Sequence, residues 1–121
     1  MTDNNFEKLE VWKKAHRLVL SIYAITKTFP KEEKYSLVDQ LRRSACSVPT
    51  NIVEGNERHS KKEYIQFLYT AKASLAETRY HFLLARDLRY ISTIQYDSLM
   101  NESVEIGKML NALIKYLKSK I

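Results

Sequence analysis

An all-α fold, an antiparallel up-down-up-down four-helix bundle, is predicted by three observations on this 121-residue chain. Only two Gly and two Pro occur, Ala, Leu, Lys, Glu and Arg are plentiful, and no stretch shows the alternation of a half-buried strand. Apolar residues instead recur every three or four positions in four successive series. The breaks between series are short, which makes neighbouring helices antiparallel. A chain of this length buries about two-thirds of its unfolded surface and needs no second core, so residues 1–121 read as one domain.

The first series, Phe6, Leu9, Trp12, His16, Val19, Tyr23 and Thr26, is widened by Leu18, Ile22 and Ile25 and predicts a helix over 6–28. Phe29-Pro30 stops it, because proline disfavours helical geometry in its predecessor and suits the first turn of a new helix. The second helix runs over 31–55, favoured at its start by Glu32 and Glu33. Gly55-Asn56 closes it, since both residues tolerate the left-handed conformation. Pro49 lies inside this helix, where it removes a donor and crowds the Ala45 carbonyl. A continuous, kinked helix is expected there, the alternative being a new segment that begins at Pro49.

Ser60-Lys61-Lys62-Glu63 has the form of a capping box and opens the third helix, 61–90. Its stripe is Tyr64, Phe67, Leu68, Ala71, Leu75, Thr78, Phe82 and Ala85. A second apolar flank of Ile65, Tyr69, Ala76, Tyr80, Leu83 and Leu84 implies burial on two sides. Ser92, Thr93 and Gln95 cap the fourth helix, 94–119, whose stripe is Leu99, Ile106, Leu110, Leu113 and Leu117.

A polar strip accompanies the second helix. Gln40, Ser44, Ser47, Asn51 and Glu54 share one face while Leu37, Leu41, Ala45, Val48 and Ile52 share another. Ser, Asn and Gln are mediocre helix formers unless something nearby satisfies them. The residues predict a structural hydrogen-bond network between helices or subunits, drawn from Gln40, Ser47, Asn51, Glu54, Ser74 and Glu77. Arg42 and Arg43 lie about 100° apart on the wheel, so at least one reaches solvent or a partner.

Reaction chemistry is not legible. The three histidines are scattered, with no close His/Cys/carboxylate spacing for a metal, and His16 is expected to pack with one satisfied nitrogen. Cys46 reads as a small buried thiol without an activating base. Both glycines are isolated, so no loop cradles phosphate, and no Glu-x-x-His pair marks a di-metal bundle. No enzyme activity, no cofactor and no small-molecule substrate are expected. A single cysteine and the absence of a long apolar run predict a cytoplasmic protein with no membrane partner.

Twenty Lys plus Arg against fourteen Asp plus Glu give +6. Residues 57–90 are the most basic segment, with seven cations (Arg58, Lys61, Lys62, Lys72, Arg79, Arg86 and Arg89) and four acids. Polyanion binding is the sharp reading of this excess, and an ordinary solvated surface is the bland one. Arg58, Lys61 and Lys62 at the turn before the third helix, where exposed amides add positive potential, rank ahead of Lys72 and Arg79 as nucleic-acid contacts. Glu57 and Glu63 partly oppose that site. The C-terminal Lys115, Lys118 and Lys120 serve as the charge-matched comparison.

The ordered set FEKLEVWKKA at 6–15, FP at 29–30, QLRR at 40–43, Ser47, Asn51-Ile52-x-Glu54-Gly55, Arg58, Ser60, Glu63, Phe67-Leu68 and Ala73-Ser74-Leu75-x-Glu77 resembles the 23S rRNA-intervening-sequence proteins. These four-helix bundles are named for reading frames inside insertions in bacterial 23S rRNA genes. Val53, where the family has Ala, and Ser36, where it often has Gly, are mild departures. The resemblance implies a left-turning antiparallel bundle that assembles as a ring-shaped homopentamer. It is similar in fold to the accessory variability protein of diversity-generating retroelements, a basic pentameric barrel that works with a reverse transcriptase and nucleic acid. Five copies of a +6 chain carry a formal +30. The expected function is a non-catalytic accessory factor that binds structured RNA, or acts beside an RNA-processing or reverse-transcribing enzyme. The competing class is an oligomeric protein-interaction scaffold that binds no nucleic acid.

Overall fold

A computed structural model describes residues 5–121, so the first four positions of the predicted 1–121 domain lie outside the described residues. Four helices dominate: α1 Glu10–Thr26, α2 Leu37–Asn56, α3 Lys61–Asp87 and α4 Thr93–Lys118, with 3-10 turns at Asn5–Lys8 and Lys31–Glu33 and no strand among the described residues. Each helix packs on its neighbour in chain order, α1 closes the square against α4, and no diagonal pair brings its backbones close. Short connections between touching helices make them antiparallel. Ile22, Leu41, Ile52, Leu68, Phe82 and Leu110 form the centre of one core, each at most 1% exposed.

The burial axis of α1 differs from the predicted stripe. Val11, Ala15, Leu18, Val19, Ile22 and Thr26 are buried, whereas His16 and Tyr23 are exposed and Leu9 and Trp12 half-buried. Large amphipathic rings cover the edge of the seam with their polar tips in water, and they pull a periodicity reading toward that edge. His16 is therefore not packed inside. Its ring stacks on the Trp12 indole at 5.0 Å and 8°. Cys46 is half-buried, with Sγ 3.9 Å from the Tyr23 hydroxyl.

Helix α2 begins six residues later than predicted. The connection from α1 is held by tertiary contacts: Phe29 is buried against the Tyr90 ring at 5.3 Å, and the Tyr90 hydroxyl donates to Glu33 Oε2 at 2.7 Å. These contacts hold 31–33 in a separate turn, and Ser36, at φ −122° and ψ −103°, precedes the helix. Once begun, α2 continues through Pro49 as one helix.

Gly55 does not close α2 in the left-handed conformation. No glycine has a positive φ, and Gly55 is a buried helical residue. Its role is close approach: a Cβ there would stand 2.8 Å from both Phe67 Cβ and Tyr64 Cδ1. The left-handed residue is Arg89, at φ 65°. Tyr90 N–H donates to the Ala85 carbonyl and Arg89 N–H to the Arg86 carbonyl, both at 2.9 Å, which is the helix-ending arrangement usually given to glycine. Because Tyr90 is anchored to Phe29 and Glu33, α3 ends at Asp87 instead of continuing to 90. At the start of α3 only the serine half of the predicted box forms, with Glu63 N–H donating to Ser60 Oγ at 3.3 Å. Ser92 and Gln95 form both halves at α4.

Candidate nucleic-acid interface

Two polar edges run along α3. On the α2 side, Ser74 Oγ donates to Ser47 Oγ at 2.8 Å and Asn51 Nδ2 donates to the same Ser47 oxygen at 3.0 Å. Asn51 also reaches the Ser47 carbonyl at 2.7 Å. One turn away, Thr78 Oγ1 donates to Ser44 Oγ at 2.9 Å, and Ser44 lies 3.3 Å from His81 Nδ1. Ser44, Thr78 and His81 are buried. Burial pushes the His81 imidazole below its usual range, only partly opposed by the Glu77 carboxylate, which lies 3.9 Å from Nε2. Of the residues predicted for this network, Ser47, Asn51 and Ser74 are brought together. Gln40 and Glu54 are exposed and bond to none of them, and Glu77 stands at the edge beside His81. Thr78 and His81 were not foreseen as members. The signal was the hydroxyl ladder itself: Ser44 and Ser47 three apart on α2, Ser74 and Thr78 four apart on α3.

At the turn before α3, Arg58, Lys61 and Lys62 are exposed. The Arg58 guanidinium lies 4.7 Å from the Phe67 ring centre, and the first amides of α3 are partly used by Ser60. This turn does not gather its three cations around one cavity: Lys62 alone lines the one nearby.

The α4 side of α3 is different. Lys62, Tyr69, Lys72, Arg79 and Arg86 follow one face of α3, and Val104, Lys108, Asn111, Lys115 and Lys118 follow the facing row of α4. A groove of about 210 Å³ between the helices is walled by Lys72, Arg79, Lys108 and Asn111 and contains no acidic side chain. Gly107 leaves its floor open to Leu75. Toward the end of the bundle, Lys118 Nζ donates to the Tyr69 hydroxyl at 2.7 Å, and this hydrogen bond holds the Tyr69 phenol below the ordinary tyrosine range. Two of the three acids of α4 point elsewhere: Glu105 pairs with Lys14 of α1 at 2.9 Å, and Glu102 shares that groove, whereas Asp97 stands seven residues before Val104, at the start of the row that faces α3. Charge is thus segregated along α4 from Glu102 onward, with Glu102 and Glu105 presented to α1 and Lys108, Lys115 and Lys118 to α3.

Among the expected contacts, Lys62, Lys72 and Arg79 fall on this seam, and Arg58 and Lys61 lie outside it. Lys108, Asn111 and Lys118 belong to it and were not selected from the sequence, although their three- and four-residue spacing on α4 matches the cation spacing on α3. Lys118 belongs by sequence to the C-terminal lysines outside the expected site. Among the described residues, no group of three His, Cys, Asp or Glu side chains is placed to hold a metal, and no helix is long and apolar enough to cross a membrane.

Residues 7–112 match the family model described as 23S rRNA-intervening sequence protein. The chain belongs to that family. A crystal structure from Bacteroides thetaiotaomicron, described as a protein with unknown function from the S23 ribosomal protein family, is 32% identical. It superposes with a TM-score of 0.81 over 87% of this chain and 95% of that one. No curated protein matches the sequence.

Proposed function

We propose that this member of the 23S rRNA-intervening sequence protein family is a non-catalytic accessory factor that binds the backbone of RNA along the seam between α3 and α4. The observation that carries the reading is the groove walled by Lys72, Arg79 and Lys108 with no carboxylate in its lining. Like charges facing one another across a groove repel, and a polyanion relieves that repulsion while releasing its own counterions. No base-reading motif is needed, so affinity is salt-sensitive and weakly dependent on sequence. The cellular setting that fits is structured RNA, alone or beside an RNA-processing or reverse-transcribing enzyme in the cytoplasm.

The same reading includes a closed homo-oligomer, a pentameric ring. It is supported by apolar surface on α3 that one chain leaves uncovered: Ala76 is exposed and Tyr80 is 58% exposed. Closed symmetry covers such a flank in every copy, and repetition of the seam adds avidity. The competing reading, a protein-interaction scaffold, takes the same flank as its docking face.

Mobility shift at two salt concentrations, with the mass of each sample measured by light scattering, separates the two. The wild-type protein is expected to retard RNA at low salt. The variant Lys72→Ala/Arg79→Ala/Lys108→Ala is expected to lower the slope of log affinity against log salt by about two to three units. The Arg58→Ala/Lys61→Ala/Lys62→Ala variant should lose less. Absence of any shift at low salt with several RNAs and DNAs leaves the scaffold reading, and a mass near one 14.2 kDa chain removes the ring.

A further inference from the structure

The seam opens, beside the first turns of α3 and the last turn of α4, into a cavity of about 430 Å³. This is within the range of small-ligand pockets, roughly 300–1,000 Å³. Its composition differs from the groove further along. Ile65 and Ile121 supply apolar lining, Tyr69 supplies an aromatic wall, and Lys62 and Lys118 supply cations. Tyr69 is 40% exposed, and two cations lie against it. Lys118 donates to its hydroxyl at 2.7 Å, and the ammonium groups of Lys118 and Lys72 lie 5.3 and 5.6 Å from the ring centre.

Phosphate alone needs no aromatic wall or apolar lining. A duplex keeps its base faces stacked internally and has none to offer. An unpaired nucleotide needs both parts, a ring and apolar surface for the base and ammonium groups for the phosphate. We propose that this cavity receives one unpaired nucleotide of a single-stranded nucleic acid, with its base against Tyr69 and its phosphate between Lys62 and Lys118. Glu63, on the same lining, opposes part of the cationic field, and the Gln66 amide offers hydrogen bonds to a base edge. The proposal rests on the backbone-binding reading and adds a preference for single strands at one end of the seam.

The test uses the full chain and two fluorescent probes, an oligouridylate and a blunt RNA duplex with the same number of phosphates, followed by anisotropy. Tyr69→Ala is expected to weaken oligouridylate binding about tenfold or more, because stacking one base on an aromatic ring contributes on that scale, and to change duplex binding little. Tyr69→Phe keeps the ring but removes the hydroxyl that holds Lys118, and it is expected to lose clearly less oligouridylate binding than Tyr69→Ala. Melting curves check that both variants fold. Equal loss on the two probes, or no loss on either, overturns the pocket. Lys72→Ala/Lys108→Ala tests the parent reading separately: it should weaken both probes. If it weakens neither, the backbone reading fails and takes this proposal with it.

Discussion

Helix α3 meets α2 with hydroxyl groups and meets α4 with ammonium groups, and the two edges solve the problem of polarity at a helix seam in opposite ways. Toward α2, the Ser44, Ser47, Ser74 and Thr78 hydroxyls both donate and accept, so they satisfy one another inside the molecule. Among the described residues, no buried side-chain polar atom lacks a partner. Toward α4, Lys72, Arg79 and Lys108 can only donate, and no carboxylate shares their groove. Neutral groups that pair with each other set register and packing. Cations that share a groove with no carboxylate create a field directed outward, toward an external counter-ion. The first edge is therefore where stability resides, and the second is where a ligand is to be sought.

The largest effect that would sharpen this contrast is expected at Gly55. The α2–α3 approach leaves no room for a side chain there, since even a Cβ meets Phe67 and Tyr64 at 2.8 Å. Gly55→Leu should therefore destabilise the fold by about 3 kcal/mol through overpacking. Thermal or urea unfolding reads this directly, and a loss below about 1 kcal/mol would show that the two helices separate easily.

A smaller effect is expected at the hydroxyl pair. Thr78→Val removes the donor to Ser44 and should cost about 1–2 kcal/mol, because buried polar groups lose a partner. Adding Ser44→Ala should cost less than the two single losses together, since the double variant leaves fewer orphaned groups. Strict additivity in the double-mutant cycle would mean that the Thr78–Ser44 contact carries no coupling.

The smallest effect on folding belongs to the other edge. Lys72→Gln/Arg79→Gln/Lys108→Gln should change unfolding free energy by no more than about 0.5 kcal/mol, because no carboxylate pairs with these cations in their groove and the exposed contact of Lys72 with the Tyr69 ring contributes little. A destabilisation comparable to that of Thr78→Val would break the comparison, and the seam would then have to be read as structural.

The amino-acid sequence by itself determined the fold class, the number of helices and the family, because apolar periodicity, proline, glycine and capping serine act locally and leave a record at fixed spacing. It also marked Ser47, Asn51 and Ser74 as polar residues needing partners. It missed the burial axis of α1 by part of a turn, since a wheel cannot tell a core residue from the aromatic rim that covers it. The start of α2 and the end of α3 were decided together by Tyr90, which reaches back to Phe29 and Glu33 from across the chain. The role of Gly55 likewise depended on which helix came to lie against it. Most of the candidate interface was decided only by tertiary structure. Lys72 and Arg79 stood out within a basic segment, but Lys108, Asn111 and Lys118 lie on another helix, where their charge is diluted by Glu102 and Glu105. Only the packing of α4 between α1 and α3 turns those carboxylates one way and the lysines the other, because opposite charges on one helix are sorted by the partners that each face meets.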